Sequence, residues 1–92
     1  MNKMRVNSGI ILLEIHGCYL LVADRETRKK CAFVRQISEI GAFVWRLLEE
    51  GKNTEEILYL INKQYDVPKS ANLKKDIANY LNLLKEQNYI IE

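Results

Sequence analysis

The chain predicts an α+β fold: a three-stranded antiparallel sheet followed by three helices, in a winged helix-turn-helix-like arrangement. Three observations carry this. Residues 10–37 hold short runs of leucine and β-branched residues separated by turn residues, the mark of strands. From Ser38 onward the apolar residues recur at helical spacing instead. The period changes once, so strands and helices are segregated along the chain rather than alternating. A length of 92 residues, 48% hydrophobic and 28% charged, fits one domain spanning 1–92.

The first strand covers residues 10–15, Ile-Ile-Leu-Leu-Glu-Ile. His16-Gly17 then makes a tight turn, because glycine accepts positive φ and histidine is among the residues that tolerate it. Residues 18–23, Cys-Tyr-Leu-Leu-Val-Ala, form the second strand. Residues 24–30 are a polar, basic hairpin tip, and residues 31–37, Cys-Ala-Phe-Val-Arg-Gln-Ile, form the third strand. Pairing the last two strands places Cys18 and Cys31 at opposite ends of the hairpin. Six strand residues span ~20 Å, and a disulfide needs Cα atoms within ~7 Å. The two thiols are therefore expected to be unbridged, which agrees with a cytoplasmic location.

Ser38 is placed to cap the first helix. Its stripe is Ile40, Phe43, Val44, Leu47 and Leu48, and Gly51 ends it. Trp45 lies off that stripe and is expected to cover the sheet half-buried, with an exposed docking role as the alternative. Asn53 with Glu56 forms a capping pair for the second helix, whose stripe is Ile57, Leu58, Ile61 and Tyr65. Asp66-Val67-Pro68 breaks it, since proline disfavours helix in the preceding residue. The third helix is expected from about residue 70 to residue 87, with Leu73, Ile77, Tyr80, Leu81 and Leu84 on one face. Asn88 suits the left-handed position that ends it, and Tyr89-Ile90-Ile91 is an apolar tail able to dock as a strand.

Several function classes are excluded at this level. No apolar run approaches the ~20 residues of a membrane span. Met1-Asn2-Lys3-Met4-Arg5 has no signal-type apolar stretch behind it. One histidine and two cysteines, with no CxxC or HExxH spacing, do not make a metal centre. No paired nucleophile and base and no glycine-rich phosphate loop is present, so neither an enzyme nor a cofactor is expected. Residues 1–37 carry seven basic and three acidic groups, +4, while residues 38–92 carry seven and nine, −2. A winged-helix DNA-binding regulator is the rival reading, through Asn72, Lys74, Lys75, Asn79, Asn82, Lys85 and Gln87 of the third helix. The acidic balance of the helical half, Asp76 and Glu86 on the same helix, and a hairpin that precedes the helices rather than following them all argue against it.

Four passages together resemble the PqqD-like family, the peptide-binding modules also called RiPP recognition elements. They are Leu13-Glu14-Ile15-His16-Gly17 with Leu20-Leu21-Val22, and Ile37-Ser38-Glu39-Ile40-Gly41-Ala42-Phe43-Val44-Trp45. The others are Gly51-Lys52-Asn53-Thr54-Glu55-Glu56-Ile57 with Tyr65-Asp66-Val67, and Asp76-Ile77-Ala78-Asn79-Tyr80-Leu81 with Leu84. The resemblance runs from about Ile11 to the end of the chain. Ser38, Ile40 and Asn88 depart from the family's commoner Asn, Thr and Gly.

The resemblance implies a module that binds the leader segment of a ribosomally synthesised precursor peptide and presents it to a separate maturation enzyme, a radical S-adenosylmethionine protein or a leader peptidase. It implies that the leader adds as a strand along residues 31–37, against the third helix. The implied contacts are Ala32, Phe33, Val34, Arg35, Gln36 and Ile37 on the strand, with Leu73, Lys74, Ile77, Tyr80, Leu81 and Leu84 on the helix. The residues suit this: no proline interrupts the strand, so its edge groups are free to pair. Arg35, Lys74 and Lys75 would attract an acidic leader. Much of the helix stripe, and Phe33, also fits plain core packing, and an exposed edge permits self-pairing into a homodimer.

Overall fold

Alternating side chains along residues 10–37 do build a meander. The structure, a computed structural model, describes residues 4–67 and 72–91. Its elements are β1 (Arg5–Val6), β2 (Ile10–Ile15), β3 (Cys18–Ala23), a short 3₁₀ turn (Thr27–Lys29), β4 (Val34–Ile37), α1 (Glu39–Glu49), α2 (Thr54–Gln64), α3 (Leu73–Glu86) and β5 (Ile90–Ile91). Strands β2, β3 and β4 pair antiparallel in that order. The β2–β3 turn has φ of 51° at His16 and 79° at Gly17, the left-handed pair a two-residue hairpin requires.

The helix boundaries follow local chemistry. Ser38 Oγ accepts from Gly41 N–H at 3.0 Å and starts α1. Gly51, at φ 84°, follows its end. Asn53 and Glu56 form a reciprocal capping box for α2, with bonds of 2.9 and 3.2 Å. Asn72 caps α3, so that helix begins a little later than the sequence spacing suggests. The expected break at Pro68 and start near Ser70 lie outside the described residues. Asn88 takes φ 65° after α3, and β5 follows.

The partner of β5 is a feature the spacing does not reveal. Arg5 and Val6 pair with Ile91 and Ile90, closing a two-stranded ribbon from the two ends of the chain. Two residues are too few to show a period. Asn7 secures the ribbon, its side-chain amide donating to Asn88 O at 3.0 Å and its backbone N–H to Tyr89 O at 2.9 Å.

Beneath β2–β4 the three helices enclose the core. Leu21, Val44, Trp45, Ile57, Ile61, Leu84 and Tyr89 are all fully buried there. Trp45 is thus a central core residue, neither half-buried nor a docking residue. Its Nε1 has no acceptor among the described residues, and the ring contributes a large buried apolar area to the core. Phe33 departs in the opposite direction. It is 54% exposed, with the Arg28 guanidinium 4.9 Å from its ring centre, and is not in the core.

Cys31, by contrast, is buried and belongs to the core. The third strand accordingly pairs regularly from Val34 and not from Cys31. Residues 30–32 are tied elsewhere: Asn88 Nδ2 donates to Lys30 O at 3.3 Å, Cys31 Sγ to Asn88 O at 3.5 Å, and Tyr89 OH to Ala32 O at 3.5 Å. Both thiols are free. Burial pushes the Cys31 thiol up, which makes it a poor nucleophile.

Candidate functional site: the β4 edge and the groove beside α3

Strand β4 pairs with β3 on one side only, so its other side is a sheet edge. The register sets which backbone groups are free. Tyr19 pairs with Ile37 and Leu21 with Arg35, and Ala23 N–H donates to Phe33 O at 2.8 Å. Residues 33, 35 and 37 therefore turn their backbone groups toward β3. By alternation, the N–H and C=O of Val34 and Gln36 point outward. Ala32 would extend the free edge, but its carbonyl already accepts from Tyr89. The pairing edge is therefore four backbone groups on two residues.

Side chains alternate across the same strand. Val34 and Gln36 project to the face away from the helices, while Arg35 and Ile37 project toward them, partly buried. Just past the end of β4, starting at Ser38, a cavity of about 280 Å³ opens between the start of α1 and the first half of α3. Ser38, Ile40, Gly41 and Val44 line it from α1 and its cap, and Leu73, Asp76, Ile77 and Tyr80 from α3. The lining is mainly apolar, sized for an aliphatic or aromatic side chain.

Tyr80 forms the back of the groove. Its hydroxyl donates to Gly41 O at 3.3 Å and joins α3 to α1. Burial pushes its pKa up to about 12, partly opposed by the positive charge of Arg35. The phenol is thus neutral across the physiological range. Gly41 permits this approach: a Cβ there would stand 3.0 Å from the Tyr80 hydroxyl and 3.2 Å from Ser38 Oγ.

Of the sequence-predicted contacts, Leu73, Ile77 and Tyr80 line the cavity, while Val34, Arg35, Gln36 and Ile37 make up β4. Leu81 and Leu84 are corrections. They sit 4% and 0% exposed in the core and do not line the cavity, whereas Ile77, also buried, borders it from the first half of α3. Lys74 is exposed on α3 and is not among the residues lining the cavity. Phe33 lies before β4, with its backbone carbonyl already used by β3. The sequence reading missed Ile40, Gly41, Val44 and Asp76. Ile40 was assigned to the core stripe of α1, yet it stands in the first turn, where the helix end opens onto the groove. Among the described residues no group of three His, Cys, Asp or Glu is placed to hold a metal ion.

The family model for coenzyme PQQ synthesis protein D (PqqD) matches residues 23–90. The chain belongs to the PqqD family. That match runs from the end of β3 to the first residue of β5, and so contains β4, all three helices and the whole groove. No curated protein matches the chain. Two solved structures share the PqqD-family fold seen here. TbiB1 in complex with the TbiA(beta) leader peptide is 22% identical, over 94% of this chain and 93% of that one, with a TM-score of 0.73. Lasso peptide synthetase B1 complexed with the leader peptide is 18% identical, over 99% of this chain and 100% of that one, with a TM-score of 0.76. The likeness extends over nearly the whole length of all three chains.

Proposed function

We propose that this chain captures the leader segment of a ribosomally synthesised precursor peptide and presents it to a separate maturation enzyme. The leader pairs as an extra strand beside β4, and its inward side chains enter the groove against α3. One observation carries the reading: the strand whose Val34 and Gln36 backbone groups face outward leads, through Ile37, straight into Ser38 at the wall of an apolar groove. An unpaired edge alone supplies affinity without selectivity, and a groove alone supplies the converse. Membership of the PqqD family supports the reading, as do the two leader-peptide complexes of like fold.

In this mechanism the chain performs no covalent chemistry. Pairing Val34 and Gln36 replaces water on four backbone groups. An apolar leader residue gains by leaving water for the surface of Ile40, Leu73 and Ile77. Arg35, at the inner side of the strand, favours a leader with a carboxylate near that point, while Asp76 on α3 disfavours one deeper in the groove. The maturation enzyme is a radical S-adenosylmethionine protein or a leader peptidase, acting on a substrate held extended and in fixed register.

The test is calorimetric titration with the leader of a short precursor encoded beside this gene, with duplex DNA as the control. Micromolar or tighter leader affinity is expected, with no response to DNA. Val34→Pro is the deciding variant. Its N–H is absent from the β3 ladder, and proline is tolerated where an edge strand's donor faces outward. The variant should fold with an unchanged spectrum and lose leader affinity about tenfold or more. Normal binding by folded Val34→Pro would refute strand addition.

A further inference from the structure

The face of the β2–β3–β4 sheet turned away from the helices is also apolar. The register places Ile11, Val22 and Val34 in one row, Leu13 and Leu20 with Gln36 at the edge in the next, and Ile15 with Cys18 at the hairpin end. Ile11, Ile15 and Val34 are about half exposed, and Leu13 is 38% exposed. An antiparallel sheet with one solvated face ordinarily alternates apolar-in with polar-out. Here β2 and β3 are apolar on both faces, and among the described residues nothing covers the outer one.

Charge identifies what fits there. The loop beyond the Ile11–Val22–Val34 row carries Arg25, Arg28, Lys29 and Lys30. Its two acids are engaged within the loop: Asp24 accepts from Thr27 N–H at 2.7 Å, and Glu26 pairs with Lys29 at 3.2 Å. Arg25, Arg28 and Lys30 make that end positive, and Arg28 lies over the exposed ring of Phe33. At the opposite end the outer face has no carboxylate, because Glu14 pairs with Tyr19 on the inner side. A second copy stacked head-to-tail would set these cations against an uncharged hairpin, and stacked in parallel it would set cation on cation. A foreign surface with an apolar ridge flanked by carboxylates matches both features.

We propose that this outer face is the docking surface for the maturation enzyme, which meets it with an apolar ridge and an acidic rim. The size of the face adds a condition. Three strands about 4.8 Å apart and five residues long at about 3.4 Å give roughly 250 Å², well below the ~800 Å² per partner of a stable interface. This step rests on the leader reading: a leader strand beside β4 continues the same sheet and widens the face by about one third. The enzyme therefore grips the loaded module more tightly than the empty one, and the leader's outward side chains become part of what it recognises.

The experiment titrates the purified peptidase or radical S-adenosylmethionine enzyme encoded beside this gene onto the full chain, with and without leader. Leader affinity is measured separately by calorimetry. Wild type should bind the enzyme about tenfold more tightly when loaded. Leu13→Glu should weaken enzyme binding about tenfold while leaving leader affinity unchanged. Ile15→Thr keeps strand preference and should act in the same direction if Leu13→Glu fails to fold. Arg28→Glu should lessen the salt dependence of enzyme association, with Arg25 and Lys30 still in place. Enzyme binding that survives the folded apolar variants would overturn the proposal. So would absence of enzyme binding by loaded wild type. A wild-type dimer that Leu13→Glu splits in sedimentation would overturn it too, giving the face to a second copy. If wild type fails to bind leader yet loses enzyme on Leu13→Glu, the docking face stands and the leader reading falls.

Discussion

The two faces of one small sheet are built from nearly the same residue types and have opposite fates. On the inner face Ile10, Leu21 and Ala23 are 3%, 0% and 2% exposed, closed under the helices. On the outer face Ile11, Leu13, Ile15 and Val34 stand open to solvent. Composition does not separate them: β2 reads Ile-Ile-Leu-Leu-Glu-Ile, and neighbouring residues go to opposite sides. The difference shows that hydrophobicity in this strand serves two ends, packing on one face and availability for contact on the other.

The largest effect expected from this contrast is on stability. Leu21→Ala leaves a void in a closed core and should cost about 2–5 kcal/mol. Leu13→Ala, on the open face, should stay within about 0.5 kcal/mol. Urea titration of both variants checks this, and similar losses would mean that the outer face is covered after all.

Alkaline unfolding sharpens the same contrast through Tyr80, on the groove side. Its folded pKa of about 12 lies above the ordinary value of 10. Above pH 10 the unfolded chain gives up this proton while the folded one keeps it, so stability falls as pH rises. The stabilisation is complete below pH 10 and is lost on the way to pH 12, amounting to about 2–3 kcal/mol. Burial raises Tyr89 and Tyr65 as well, which deepens the loss in the same window. Denaturation midpoints from pH 9 to 12 should fall, and less steeply in Tyr80→Phe.

The smallest effect lies where the two faces meet the free edge. Arg35→Glu reverses a charge that is partly buried at the groove and should slow association with an acidic leader about three- to tenfold, with a smaller change in dissociation. Stopped-flow mixing at two salt concentrations separates the two rates.

Much of the fold was legible because its signals are local. Ser38, Asn53 with Glu56, the His16-Gly17 turn and Asn88 each act on groups within a few residues of themselves, so their roles can be read from type and spacing. The site was legible only in part. Leu73, Ile77, Tyr80, Leu81 and Leu84 share one helical stripe, and spacing alone cannot tell which of them reach the groove and which meet another helix. Phe33 fits core packing by residue type, yet it stands exposed while Cys31 is buried. Asn88 and Tyr89, distant in the chain, hold residues 30–32 by hydrogen bonds that no local pattern announces.

By itself the sequence determined the order of strands and helices and their caps and turns, while the third strand it placed at 31–37 pairs regularly only over Val34–Ile37. Order, caps and turns were readable because period and capping are properties of neighbouring residues. Tertiary structure decided the rest: the ribbon of Arg5–Val6 with Ile90–Ile91, the burial of Trp45, Leu81 and Leu84, and the restriction of the free edge to Val34 and Gln36. Each of these depends on groups distant in the chain meeting in space, and no local pattern records which of two equally apolar residues will find a partner.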